Sequence, residues 1–252
     1  MRCVTRKFLF MLLMVSSVFI VAGCEGQRPF TRDTNEGSTQ EMLMESRDAI
    51  RASNVGLRVD LYEETFGGIF ERAAGTSQGS GVVFDVRDGY YYALTNHHVI
   101  DSKDYPRSEY HIVPSFEDEE YEASVVDYDS SKDLALIKFS STDLDIPLMD
   151  IYAYEGDVTE LTGEMVLAVG NPSAINSMVT YGEFNGMHAI DDVDFNVIGH
   201  SALIYPGNSG GALTTKAGEF IGINTWGSED DTQNFSVPHN EVHNFLDSVD
   251  FE

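Results

Sequence analysis

The sequence predicts an all-β protein that consists of two small β-barrels closed by a C-terminal helix. From about residue 55 to residue 238, short runs rich in Val, Ile, Tyr and Phe alternate with turn residues. About eleven such runs fall into two sets, and the chain shows no internal repeat of fixed period. Short strands separated by frequent turns are typical of sandwiches and barrels. Two sets of this size therefore favour two barrels.

The N-terminus has the pattern of a signal peptide. A basic start is followed by the apolar run from Phe8 to Ala22, which is short for a membrane-spanning helix. The run leads into Val-Ala-Gly-Cys, which resembles the bacterial lipobox, in which the cysteine receives a lipid and becomes the new N-terminus. We expect a lipoprotein signal peptide at 1–23 and a lipid on Cys24. An uncleaved anchor and an ordinary secretory signal are the alternatives.

Residues 24–54 are predicted to be a polar tether between the lipid and the folded domain. They contain Pro29, several Gly, Ser and Thr, and mixed charges, a composition that favours a linker. Within this segment, residues 41–52 are compatible with a short helix. Its apolar positions are too few to predict docking onto the domain.

Residues 55–252 are predicted to form the domain itself. Barrel one is expected at about 55–147 and barrel two at about 155–238, with a seam near Pro147–Gly156. A closing helix is expected at about 239–249, because its apolar residues recur with the i, i+3, i+4, i+7 spacing of an amphipathic helix. These residues are Val242, Phe245, Leu246 and Val249.

Composition limits the classes of function. The 42 acidic residues outnumber the 15 basic ones, which gives a net charge of −27, and nucleic-acid binding is unlikely because it requires a basic surface. Cys3 leaves with the predicted signal peptide and Cys24 carries the predicted lipid, so no cysteine remains for a disulfide. The domain must then rely on its apolar core, which a chain of 252 residues can form.

Three separate stretches carry residues for nucleophilic catalysis. Tyr-Pro-Gly-Asn-Ser-Gly-Gly surrounds Ser209 with glycines, which a chain uses where the backbone turns sharply or is closely approached. A serine hydroxyl needs a base, and the base needs an orienting group. Thr-Asn-His-His-Val offers His98 as the base, and Asp-Leu-Ala-Leu-Ile-Lys offers Asp133 as the orienting carboxylate. The neighbouring His97 is expected to be structural, because it should point elsewhere.

Together these stretches resemble trypsin-like serine proteases of the HtrA/Deg type, over about residues 55–249. The resemblance implies two six-stranded β-barrels of the trypsin-like fold and a His98–Asp133–Ser209 triad. It also implies an oxyanion hole at Gly207, Asn208 and Ser209. The amides of Gly207 and Ser209 would bind the developing charge, and the backbone of Asn208 would fix the turn between them. No metal or cofactor is needed for this chemistry.

The resemblance also assigns a substrate pocket. Its residues are Leu203, Ile204, Tyr205, Asn224 and Thr225. No acidic residue lies at its base, so cleavage after Lys or Arg is disfavoured, and the apolar residues favour cleavage after small aliphatic residues such as Val or Ala. Substrates would be unfolded or exposed protein segments at the cell envelope, on the periplasmic or extracellular side.

Several alternatives stay open. Glutamyl endopeptidases share these motifs but tend to have histidine at the position of Asn224. A catalytically silent protease fold that binds a partner or acts as a chaperone is another possibility. A zinc-dependent hydrolase built on His239 and His243 is weaker, because the metalloprotease motif requires Glu where Asn240 stands.

Two expectations concern assembly. No PDZ domain is expected, because only three residues follow Val249. Related proteins often form trimers through N-terminal segments, so a homo-oligomer is possible.

Overall fold

The computed structural model describes residues 34–115, 119–172, 177–191, 193–227 and 233–251, with backbone alone for 34–38. The predicted signal peptide and Cys24 lie outside the described residues.

Barrel one is a closed antiparallel sheet of six strands in the order β1-β2-β3-β6-β5-β4. Its strands are β1 (Asn54–Thr65), β2 (Phe70–Arg87), β3 (Tyr90–Thr95), β4 (Arg107–Pro114), β5 (Tyr121–Asp129) and β6 (Leu134–Ser140). The barrel closes through eight residue pairs between β1 and β4, from Val55–Pro114 to Tyr62–Arg107. Its interior is filled by Val, Leu, Ile and Phe side chains such as Leu57, Ile112 and Phe139, which alternate along the strands as a barrel requires.

Barrel two repeats the topology of barrel one. Its strands are β7 (Met165–Gly170), β8 (Met178–Ala189), β9 (Asn196–His200), β10 (Ala212–Thr215), β11 (Phe220–Gly227) and β12 (Asn234–Pro238). Their order around the closed sheet is β7-β8-β9-β12-β11-β10, the order of barrel one with six added to each number. The predicted fold class, two six-stranded barrels, is confirmed. The shared topology leaves no fixed sequence period, because barrel closure constrains burial and register but not residue identity.

The remaining described elements are helical. They are α1 (Thr34–Ala52), α2 (His97–Ile100), a 3-10 helix (Val158–Leu161) and α3 (His239–Leu246). One apolar cluster contains residues of both barrels together with Ile50 of α1 and Val242, Phe245 and Leu246 of α3. The closing helix begins at His239 and ends at Leu246, three residues short of the expected 239–249, and Val249 beyond its end still packs against the same cluster.

The helix α1 differs from the tether expected at 24–54. It begins at Thr34, and Ile50 is 1% exposed, with Leu43 packed against the same core. Ser46 lies on the same face and is buried. Its hydroxyl donates to the Met42 carbonyl at 2.9 Å, so the buried hydroxyl has a hydrogen-bond partner. A count of apolar residues misses this face, since a serine with a satisfied hydroxyl packs like a small apolar residue. Within the described ranges, no helix is both long and apolar enough to cross a bilayer.

Burial of His200 at the end of β9 makes stability depend on pH. The side chain is fully buried, with Nε2 3.1 Å from Ser236 Oγ. Burial lowers its pKa from 6.5 to about 4, and the backbone of Ala202 offsets this only in part. The unfolded chain therefore binds a proton at a higher pH than the folded one, so stability is full above about pH 6.5 and falls as the pH drops toward 4.

At about 1.4 kcal/mol per pH unit, this difference amounts to about 3 kcal/mol in the free energy of unfolding. We expect His200→Gln to flatten the acid limb of the stability curve, measured by urea unfolding between pH 4 and 7.5. His97→Gln is the control, because His97 is only partly buried, against the ring of Tyr128. Equal acid limbs in the wild type and His200→Gln would contradict this assignment.

Candidate active site

His98 lies on the one-turn helix α2, which follows β3 directly. Val99 and Ile100 are buried and hold the turn against barrel one. Gly79 of β2 leaves room for Val99, since a Cβ on residue 79 would lie 2.6 Å from Val99 Cγ1. The side chain of His98 remains 45% exposed. His97 points elsewhere and packs on Tyr128, with ring centroids 4.7 Å apart.

Asp133 is fixed immediately before β6 by a tight turn. The carboxylate of Asp129 accepts hydrogen bonds from the amides of Ser131 and Lys132, which starts the turn. Asp133 itself has a φ of +54°, in the left-handed region that Asp tolerates better than most residues. The Asn96 side-chain amide donates to the Asp133 carbonyl at 2.8 Å, so the residue is held from the end of β3 as well.

The buried carboxylate of Asp133 accepts three hydrogen bonds. The donors are the backbone amide of His98 at 2.9 Å, His98 Nδ1 at 2.7 Å and the hydroxyl of Thr225 at 2.5 Å. The first two bonds fix the position and ring orientation of His98. Because Nδ1–H donates to the carboxylate, Nε2 of the neutral ring is left as a proton acceptor.

Ser209 lies on the connection between β9 and β10, on the barrel two side. Its hydroxyl donates to the Thr225 carbonyl at 3.3 Å, and the side chain of the same Thr225 contacts Asp133. One residue therefore touches both the predicted nucleophile and the predicted orienting acid. Among the described contacts, the Ser209 hydroxyl makes no hydrogen bond to His98. Such bonds are often long before substrate binds.

The backbone around Ser209 has the features of a type II turn. The amide of Asn208 donates to the Tyr205 carbonyl at 2.9 Å, and Gly207 has a φ of +100°. The amides of Gly210 and Gly211 also donate, to the carbonyls of Asn224 and Asn208. In contrast, the amides of Gly207 and Ser209 donate to no group in the part of the chain that the structure describes. These are the two amides assigned to the oxyanion hole.

These features agree with comparisons to known proteins. Residues 79–223 match the trypsin-like peptidase domain. The chain belongs to this family. It is 33% identical over 180 residues to the serine protease Do-like HtrA of Bacillus subtilis. The matched region covers 66% of this chain and 38% of that protein.

Two further relatives match the same peptidase domain. The serine protease Do-like HtrA of Lactobacillus helveticus is 36% identical over 180 residues, covering 66% of this chain and 41% of that protein. The probable periplasmic serine endoprotease DegP-like of Buchnera aphidicola is 34% identical over 179 residues, covering 68% and 36%. The predicted resemblance to HtrA/Deg proteases is confirmed. The chain spans about two fifths of the length of these relatives.

The predicted pocket of the peptidase domain divides into an exposed and a buried part. Leu203 and Tyr205 are 47% and 43% exposed, and Ile204 is half-buried. Asn224 is instead fully buried, and its side-chain amide donates to the carbonyls of Val169 and Ala212.

The buried part differs from the sequence prediction, which put Asn224 and Thr225 in the pocket wall. Both side chains are engaged inside the fold, since Asn224 Oδ1 accepts from Ser236 and the Thr225 hydroxyl bonds to Asp133. The sequence gives no sign of the Thr225–Asp133 contact, because it joins residues 92 positions apart.

One member of the histidine pair of α3, His243, is engaged by other contacts. The ring of His243 stacks on Tyr152 at 4.4 Å, and its Nε2 lies 2.9 Å from the Ile151 carbonyl. Burial, and to a lesser degree the neighbouring His243, lower the pKa of His239. No group of three or more His, Cys, Asp or Glu side chains with metal-binding geometry occurs among the described residues.

A cavity of about 550 Å³ lies away from the predicted site residues, between β2, the segment joining the barrels and α3. Its lining includes Phe84, Leu148, Tyr152 and Phe251. None of the predicted site residues borders it.

Proposed function

We propose that this chain is a serine endopeptidase in which Ser209, His98 and Asp133 cleave peptide bonds through an acyl-enzyme. Ser209 Oγ attacks the peptide carbonyl carbon while His98 Nε2 takes its proton. The carbonyl oxygen becomes an oxyanion that accepts hydrogen bonds from the amides of Gly207 and Ser209. His98 then gives the proton to the leaving amine, and water releases the acyl group by the same steps.

The observation that carries this proposal is the orientation of His98 by Asp133. A hydrogen bond of 2.7 Å joins His98 Nδ1 to a carboxylate that also accepts from the Thr225 hydroxyl. A solvent-exposed histidine that served only as surface would need no buried carboxylate of this kind, since burying an acid is costly unless it is satisfied. The amides of Gly207 and Ser209, which donate to no group among the described residues, add support. This pair of amides and the orientation of His98 both disfavour a silent binding module.

The substrates and location are part of the proposal. The relatives are named as serine proteases, and the one from Buchnera aphidicola as probable periplasmic. Unfolded or exposed protein segments at the cell envelope are the proposed substrates, with the chain held at the membrane by a lipid on Cys24. The exposed Leu203 favours cleavage after small aliphatic residues.

Labelling with a fluorophosphonate tests the nucleophile. The full chain, purified in detergent, is treated with the probe beside Ser209→Ala, and the intact masses are compared. We expect one adduct on the wild type and none on the variant, because the probe reacts with an activated serine hydroxyl. Digestion of unfolded casein, followed by sequencing of the products, then gives the residue preference.

Three results would each favour an alternative to the proposal. A folded wild type that forms no adduct, even with casein present, would favour the silent binding module. A digest dominated by cleavage after Glu would instead favour the glutamyl-endopeptidase alternative. Loss of activity with a chelator would point to the zinc hydrolase.

A further inference from the structure

Ser80 of β2 contacts the Ser209 turn across the boundary between the barrels. It is fully buried. Its backbone amide donates to the Ser209 carbonyl at 2.7 Å, and its hydroxyl donates to the Gly207 carbonyl at 2.6 Å. A single residue of barrel one thus reaches both ends of the segment that would form the oxyanion hole, one end with its backbone and the other with its side chain.

The direction of the Ser80 hydroxyl is fixed by its other partner. The amide of Asn171, just after β7, donates to Ser80 Oγ at 2.7 Å. A hydroxyl has one proton to give, and with Asn171 acting as donor that proton is directed to the Gly207 carbonyl. The carbonyl of Ser80 accepts from the Thr95 hydroxyl at 2.7 Å, so the residue is held on the barrel one side too.

These contacts hold two peptide planes that adjoin the peptides carrying the Gly207 and Ser209 amides. The 207–208 peptide is held at its carbonyl by Ser80 and at its N–H by the Tyr205 carbonyl. The 209–210 peptide is held at its carbonyl by the Ser80 amide and at its N–H by the Asn224 carbonyl. The peptides that carry the Gly207 and Ser209 amides are the ones next to these, so their orientation depends on planes that Ser80 holds.

The Ser209 turn and β2 are packed closely together, so the turn has little room to shift. A Cβ on Gly210 would lie 2.2 Å from the Ser80 carbonyl oxygen and 2.4 Å from Thr95 Oγ1. Backbone in such close contact transmits a displacement of one strand to the other.

We infer that Ser80 is a positioning residue, which keeps the Gly207 and Ser209 amides directed at the oxyanion by holding the turn from the opposite barrel. This inference rests on the proposed function. Loss of the Ser80 hydroxyl leaves the Gly207 carbonyl and the Asn171 amide without their partner. Since the oxyanion exists only in the transition state, the loss should appear in kcat rather than in KM.

Ser80→Ala tests the inference, with Ser46→Ala as the matched control. Ser46 is also a buried serine, and its hydroxyl also donates to a backbone carbonyl, that of Met42 within α1, away from the turn. We expect Ser80→Ala to lower kcat about ten- to a hundredfold on a peptide from the casein digest, with KM nearly unchanged. Ser46→Ala should keep the wild-type kcat. Ser80→Cys, a weaker donor of similar size, should fall between.

Hydrogen exchange of the Asn208 amide gives a readout that does not need activity. We expect it to speed up about tenfold in Ser80→Ala and to stay at the wild-type rate in Ser46→Ala. Unchanged kcat and exchange in Ser80→Ala would overturn the inference and leave the proposed function intact. If Ser80→Ala does not fold, Ser80→Cys is compared in its place. An inactive wild type would overturn the proposed function, while the exchange comparison still decides whether Ser80 holds the turn.

Discussion

Asp133→Asn is expected to lower kcat/KM about 10³–10⁴-fold while the fold persists. The carboxylate accepts from the His98 amide, His98 Nδ1 and the Thr225 hydroxyl. An asparagine presents an NH₂ group to at least one of these donors. The clash between two donors is removed if His98 takes the other tautomer, in which Nδ1 accepts a hydrogen bond and Nε2 carries the proton. Nε2 could then no longer accept the Ser209 proton, so attack slows while substrate binding is preserved.

The measurement is the steady-state hydrolysis of a casein-derived peptide together with the rate of fluorophosphonate labelling. Thr225→Val is the control, because it removes one donor to Asp133 without changing the tautomer of His98. It should cost far less than Asp133→Asn. Equal losses in the two variants would mean that Asp133 acts only by packing, and a wild-type rate in Asp133→Asn would remove it from the proposed triad.

The barrels were predictable because their signal is local. Runs such as Gly-Val-Val-Phe in β2 and Leu-Ala-Leu-Ile in β6 are rich in β-branched and apolar residues and end at turn residues. A short helix at 41–52 was compatible with the sequence, but the start of α1 at Thr34 and its docking onto the core were not predicted. Its buried face consists of Leu43, Ser46 and Ile50, and only tertiary contact shows that the serine packs inward.

The candidate site likewise has residues that the sequence could predict and residues that it could not. His98, Asp133 and Ser209 stand in short motifs that the sequence displays, and their roles remain predictions until tested. The residues that support them do not stand in such motifs. Thr225 was assigned to the pocket, and Ser80 only to a strand. Their contacts join segments 92 and 127 residues apart, and a hydrogen bond over such a separation leaves no pattern in a single sequence.

Gly207→Ala is expected to lower kcat/KM about 10²–10³-fold, the cost of losing an oxyanion-hole donor. With a φ of +100°, the residue lies where an alanine is strained by about 1–2 kcal/mol. A Cβ there would also lie 2.6 Å from the Asn171 carbonyl oxygen and 2.9 Å from Pro172 Cα. Both are backbone atoms that cannot swing away, so the turn itself must move and carry the Gly207 amide with it.

Gly186→Ala separates this effect from backbone strain. Gly186 has a φ of +106°, close to that of Gly207, but a Cβ there meets no atom within 4 Å. We expect the two variants to share the cost of the left-handed backbone, seen as a lower melting temperature, and only Gly207→Ala to lose activity. If Gly207→Ala kept the wild-type kcat/KM, its amide would not face the oxyanion. If Gly186→Ala lost as much activity, the loss would come from general destabilisation. Both residues have a positive φ, but only at Gly207 would a Cβ collide with the Asn171 carbonyl oxygen.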